Sequence, residues 1–165
     1  MLTVAGALLA VDAALFAARW PWVALALIVA SVLCDALDGA VASLSGAASA
    51  SGAAADRVAD RISDLAFALV LWRCGAPLWL AVAAGLLMLA VEVVRGRVDA
   101  TAITVAERPT RTICAVLACA SAGVSVAAWP ATACAAVWVA AHLLALAQLA
   151  TRGSGRPDQL GDDRG

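Results

Sequence analysis

At 165 residues the chain is 64% hydrophobic, with a mean hydropathy of +0.95, against roughly 45–50% apolar for an ordinary soluble domain. That excess excludes a soluble globule and points to an all-α, polytopic membrane protein. A net charge of −1 supplies no global field for nucleic acid, and no nucleic-acid partner is expected.

Six apolar runs follow one another, and each is read as a transmembrane helix. The first covers residues 2–18 and is broken only by Asp12. No basic segment precedes it, so no cleaved signal peptide is expected. The second, residues 20–34, continues as helix through Asp38. Residues 44–55 are Ala, Ser and Gly with one Leu; they read as the end of helix two, a turn and the start of helix three, because Ala-rich sequence forms helix readily. The third span, 56–72, is polar in its first half and apolar in its second. The fourth, 77–91, runs out into Glu92, Arg95 and Arg97. A polar segment, 96–111, leads into the fifth span at 112–129. Pro130 is read as a tight turn, and 131–150 as the sixth span. Residues 1–151 thus form one transmembrane domain, and the Gly-, Arg- and Asp-rich tail, 152–165, reads as a disordered cytoplasmic extension. Five cysteines (Cys34, Cys74, Cys114, Cys119, Cys134) stand singly in apolar runs and read as small buried hydrophobes, with a disulfide or soft-metal site as the alternative.

Six spans put both termini on one side. That side carries Arg57, Arg61, Arg95, Arg97, Arg108, Arg111, Arg152, Arg156 and Arg164, whereas the other carries Arg19 and Arg73. The positive-inside rule therefore makes the termini and the 96–111 segment cytoplasmic. Trp20, Trp22, Trp72, Trp79 and Trp129 fall at the opposite ends, where an interfacial aromatic belt belongs.

The chemistry is concentrated between Asp35 and Asp60. Asp35 and Asp38 are three apart and Asp56 and Asp60 four apart, so each pair shares a helix face. On adjacent antiparallel helices the two pairs converge. Unpaired, four such carboxylates would repel one another and lose hydration. A hard divalent cation, Mg²⁺ or Mn²⁺, removes both problems through oxygen ligands. Gly39 and Gly52 leave room for a ligand or a neighbouring helix to come close to the backbone. The alternative, ion pairing of the aspartates with Arg57 and Arg61, leaves negative charge in excess.

The stretch resembles the signature of the CDP-alcohol phosphatidyltransferase family, D-x2-D-G-x2-A-R-x8-G-x3-D-x3-D. Asp35, Asp38, Gly39, Ala42, Ser43, Gly52, Asp56 and Asp60 keep every spacing, with one departure: Ser43 stands where the family has Arg. The resemblance implies metal-dependent transfer of a phosphatidyl group from CDP-diacylglycerol to an alcohol acceptor, with release of CMP. It assigns Asp35, Asp38 and Asp56 to the metal, two Mg²⁺ or Mn²⁺ ions, and gives Asp60 a double role as metal ligand and general base. It places Asp38, Gly39, Ala42, Ser43 and Gly52 at the nucleotide, and it implies a homodimer in the cell (plasma) membrane with the active site facing the cytoplasm. Serine at 43 removes a cation from the nucleotide side, so either another arginine substitutes, Arg57 and Arg61 being nearest in sequence, or activity is reduced or altered. In family members that take phosphorylated acceptors, cytoplasmic arginines hold the phosphate; Arg108 and Arg111 match that position and lean the acceptor toward glycerol 3-phosphate or inositol phosphate. The same two arginines also fit a lipid-headgroup anchor. Glu107 is expected to orient one of them. Asp64, one turn beyond Asp60, reads as a partner for Arg61 or a support behind the site. His142 reads as a packed, hydrogen-bonded histidine. For Asp12 two readings stand, facing the polar cavity or pairing with His142. The family usually carries a short membrane-surface segment before span one, whereas here the span begins at Met1. An ion or metal transporter and a catalytically impaired homologue are the competing functions; the first needs polar groups spread through the membrane depth, and the second rests on Ser43.

Overall fold

A computed structural model of the chain describes residues 2–45, 50–98, 104, 107–124 and 127–154, with only the backbone at 42–45, 50, 51, 53, 153 and 154. Six helices account for the described residues: α1 (Leu2–Phe16), α2 (Pro21–Ser45), α3 (Ala50–Arg73), α4 (Leu78–Val98), α5 (Arg108–Val124) and α6 (Trp129–Ser154). Three are long and apolar enough to cross a membrane, over Pro21–Val41, Leu78–Val98 and Trp129–Arg152; α1 is a shorter apolar helix. The protein is an all-helical membrane protein.

The helices are arranged with small residues inside and large apolar ones outside. Gly6, Ala10 and Ala13 form a buried stripe along α1 that continues to Ala17 just past its end, and Ala84, Ala115, Ala118 and Ala135 are fully buried on α4, α5 and α6. Leu8, Leu15, Leu33, Leu86, Leu117 and Leu144 point outward. In water such a surface would be a penalty; in lipid it is the solvated face, and small residues at the seams let the backbones approach. Helix α3 is the hub, packing against α1, α4, α5 and α6, with Phe67, Val70 and Leu71 fully buried on it.

The α1–α2, α3–α4 and α5–α6 connections meet at one end. Arg73 donates to the Leu15 carbonyl at 3.2 Å, and a Cβ at Gly75 would sit 3.3 Å from Ala128 Cα. Gly75 ends α3 with φ of 110°, the left-handed closing residue that glycine adopts without strain. The charged ends of α2, α3, α4 and α5 lie away from these turns.

Several boundaries differ from the sequence reading, and proline explains two of them, the starts of α5 and α6. Helix α5 starts at Arg108 and ends at Val124 instead of covering 112–129, and Pro130 lies inside the first turn of α6 instead of forming the turn before it. Pro109 and Pro130 occupy helix starts, where the missing N–H costs nothing because the first N–H groups have no intrahelical acceptor. Glu107 and Ala128 supply the first carbonyls, accepting from Thr110 and Thr132 at 3.1 and 3.2 Å. Helix α6 also continues to Ser154; the expected tail at 155–165 and the turn at 46–49 lie outside the described residues.

Candidate active site

The site is built by three helices. Asp35 and Asp38 come from α2, Asp56, Asp60 and Asp64 from α3, and Arg108 and Arg111 from α5. Helical spacing orders each set: one turn separates Asp35 from Asp38, Asp56 from Asp60, Asp60 from Asp64, and Arg108 from Arg111.

Asp35 and Asp60 meet on one guanidinium. Arg108 Nη1 lies 2.7 Å from Asp60 Oδ1, and its Nη2 donates to Asp35 Oδ2. The charges of Asp56 and Asp60 both act on Asp35. Asp38 accepts a hydrogen bond from the Thr3 hydroxyl of α1, and Asp56 is exposed. Sequence reasoning named Arg57 and Arg61 as partners or substitutes for the missing arginine. Instead Arg57 is exposed, Arg61 is bound elsewhere, and the cation on the aspartates is Arg108.

One turn along α3 and α5 lies a second cluster, built around a sealed pair. Arg111 donates to Asp64, and both are buried, with side chains 4% and 1% exposed. Arg61 reaches Asp64 and Glu92, each at 3.1 Å, and Arg111 lies 3.9 Å from Glu92. The chain of charges continues through Arg95 to Glu107 at 2.9 Å. Glu107 therefore does not orient Arg108 or Arg111; its carboxylate takes Arg95 and the Thr104 N–H, both at 2.9 Å. The physical reason is that Glu107 precedes the first turn of α5 and faces α4. Asp64 is the partner of Arg61, as its i, i+3 spacing suggested.

The first helix contributes more than its sequence announced. Ser31 donates to the Gly6 carbonyl at 2.7 Å, and a Cβ at Gly6 would fall 2.6 Å from Asp35 Oδ1. Gly6 thus makes room for the aspartate, and Thr3, one turn earlier, holds Asp38. The readable signal was the small-residue stripe from Gly6 to Ala17. Gly39 has nothing within 4 Å of the place a Cβ would take, so its backbone faces open space. Gly52 is exposed on α3. Ala42 and Ser43 lie on α2, but their side chains lie outside the described residues. Asp12 is exposed on α1 and does not pair with His142, whose Nδ1 bonds the Trp138 carbonyl at 2.8 Å while its ring stacks on Trp138.

Among the described residues no group of three or more His, Cys, Asp or Glu side chains is drawn together around a metal position. Asp38 is turned to Thr3, and the Arg108 guanidinium takes the facing oxygens of Asp35 and Asp60. The donor set nevertheless fits a hard divalent cation. It is all carboxylate oxygen, two helices already offer those oxygens to one shared cation, and open space lies at Gly39 beside Asp38.

An α-helical membrane protein with carboxylates and arginines gathered from three helices away from its tight turns is suited to polar chemistry on a lipid. The chain matches the CDP-alcohol phosphatidyltransferase family over residues 1–151, and it belongs to that family. Membership implies phosphatidyl transfer in phospholipid synthesis, in a family that is generally dependent on divalent metal. Neither the curated proteins nor the solved structures contain a match.

Proposed function

We propose that the protein transfers the phosphatidyl group of CDP-diacylglycerol to an alcohol and releases CMP. The observation that carries this reading is the meeting of Asp35 and Asp60, from separate helices, on the single guanidinium of Arg108. Helical spacing puts each aspartate pair on one face, and the convergence across α2 and α3, which do not pack on each other directly among the described residues, comes through Arg108 of α5.

In the proposed reaction the acceptor hydroxyl attacks the phosphorus that carries the diacylglycerol. A new O–P bond forms, the diphosphate bridge breaks, and its electrons leave with CMP. Asp60, paired with Arg108 and reachable from the open side, takes the hydroxyl proton as general base. Asp35, Asp38, Asp56 and Asp60 would hold Mg²⁺ or Mn²⁺, which when bound neutralises the diphosphate and the charge that develops on it. Gly39, Ala42, Ser43 and Gly52, with Asp38, would line the nucleotide, the bare backbone at Gly39 leaving space for it. Arg108 would meet a phosphate on the acceptor, glycerol 3-phosphate or an inositol phosphate, through its planar fork. Arg111 would add positive charge from one turn deeper. An apolar groove of about 490 Å³ between α1 and α3, lined by Val4, Leu8, Val11, Val58 and Ile62, suits the acyl chains of the donor.

All six helices would cross the plasma membrane, with both termini and the aspartates cytoplasmic. The arginine asymmetry supports this, as does the separation of the charged helix ends from the tight turns. Residues 1–151 would be the catalytic domain of a homodimer and 152–165 its tail. The test is CMP release from CDP-diacylglycerol by membranes containing the protein, with and without Mg²⁺ or Mn²⁺. Metal-dependent release that requires an added alcohol is the expected result; none with any of the candidate alcohols would refute the activity.

A further inference from the structure

Arg108 stands where a cation would have to stand. Its two terminal nitrogens take Asp60 Oδ1 and Asp35 Oδ2, one oxygen from α3 and one from α2. Its Nε is buried with no hydrogen-bond partner among the described residues, so the bridge leaves the guanidinium incompletely satisfied. Its side chain is 29% exposed, which leaves a way out. Arg111, one turn deeper and sealed, has none.

A divalent cation and a guanidinium cannot share these oxygens. A hard ion closes on carboxylate oxygens at about 2.0–2.1 Å, inside the reach of any hydrogen bond. Its two positive charges would then repel the guanidinium across a few ångströms of poorly solvated space. We propose that Arg108 is an internal counter-cation: it neutralises Asp35 and Asp60 until a divalent cation binds, competes with that cation for them, and is set free when it loses. The released guanidinium then lies beside the metal with its fork open, ready for a phosphate. The inference rests on the reading of the aspartates as a metal site.

The experiment is Mn²⁺ binding, followed by electron paramagnetic resonance, to the detergent-purified full chain as wild type, Arg108→Gln and Arg108→Lys. Arg108→Gln removes the competitor and should bind Mn²⁺ about tenfold to a hundredfold more tightly, the worth of one charge-assisted hydrogen bond. Arg108→Lys keeps the charge but cannot span both carboxylates, and should bind at least about threefold more tightly; it decides the matter if Arg108→Gln does not fold. Thermal unfolding gives an independent readout. With a chelator Arg108→Gln should melt below wild type, and saturating Mn²⁺ should close the gap. Equal Mn²⁺ affinity in all three proteins, or a gap in melting that Mn²⁺ leaves unchanged, overturns the competition while leaving the metal site standing. No Mn²⁺ binding by any of them overturns the metal site and the competition together.

Discussion

Two arginines three residues apart on α5 enter two different worlds. Arg108 joins Asp35 and Asp60 while itself partly open to solvent, whereas Arg111 forms with Asp64 a pair that solvent does not reach, with Glu92 and Arg61 at its more open edge. The chemical groups are the same. What differs is burial, and burial decides what an ion pair can do. A sealed pair holds its geometry because separating it strands an unpaired charge in a poorly solvated interior. An open pair can exchange one partner for a ligand. The open cluster is therefore suited to bind and react, and the sealed one to fix α3, α4 and α5 around it.

The largest effect should come from the open cluster. Asp60→Asn keeps the shape and removes the base. Turnover should fall about 10²- to 10⁴-fold, while nucleotide binding stays largely intact. CMP release near the wild-type rate would remove Asp60 from its proposed role. Asp38→Asn should weaken the metal dependence without so deep a loss.

The sealed cluster should answer in stability instead. Asp64→Asn leaves Arg111 and Arg61 short of negative charge in the interior, and breaking a buried pair in this way costs about 3–5 kcal/mol. The measurement is the melting temperature of the purified protein. A paired change, Asp64→Leu with Arg111→Met, takes out both charges and should recover much of that loss, because apolar replacements of buried ion pairs are often neutral. If the recovered double variant also restores the acceptor KM, Arg111 contributes no charge to the acceptor. If stability returns and KM stays high, it does.

Arg108→Ala should raise the KM for a phosphorylated acceptor about tenfold to a hundredfold, with the KM for CDP-diacylglycerol little changed; one charge-assisted bond to phosphate is worth roughly 1.5–3 kcal/mol. Paired measurements with phosphorylated and unphosphorylated alcohols check it. A variant that treats both classes alike would end the lean toward a phosphorylated acceptor and favour a headgroup anchor.

Much of this comparison was legible in the sequence, and the illegible part has a common cause. The aspartate pairs are local: three- and four-residue spacings fix a helix face wherever the helix goes, so Asp35, Asp38, Asp56 and Asp60 could be grouped without coordinates. The Arg61–Asp64 pair is local in the same way. The partner of Asp35 is 73 positions away in Arg108, and no spacing rule reaches that far. Nearness in sequence favoured Arg57 and Arg61, whereas helix packing brought in α5. Glu107 was misread for a related reason. It adjoins Arg108 in sequence, but at the start of a helix adjacent residues point in different directions, and its carboxylate turned to Arg95 on α4. The two proline boundaries were readable, since proline in a first helical turn is a known start signal. Reading Pro130 as a turn and starting span five at residue 112, beyond Pro109, sets both starts too late.

The smallest effect should come from α1, and it sharpens the comparison because it touches one aspartate without touching its charge. A methyl group at Gly6 would arrive 2.6 Å from Asp35 Oδ1 and 3.3 Å from the Ser31 carbonyl. The carboxylate is the mobile end of a side chain and can give way, whereas the carbonyl belongs to the α2 backbone. Gly6→Ala should therefore move Asp35 off its present position and spread α1 slightly from α2. The bond between Ser31 and the Gly6 carbonyl would strain with it. A displaced ligand loses part of a charge-assisted interaction, so the metal concentration for half-maximal activity should rise about threefold to tenfold. Gly85→Ala is the matched control. Its methyl group would meet Leu65 Cδ2 at 3.3 Å, between α4 and α3, with no contact to an aspartate among the described neighbours. That change should shift melting by an amount set by packing alone and leave the metal requirement where it was. If Gly6→Ala and Gly85→Ala alter metal dependence equally, Gly6 acts only through helix packing, and the room it leaves for Asp35 has no bearing on the site.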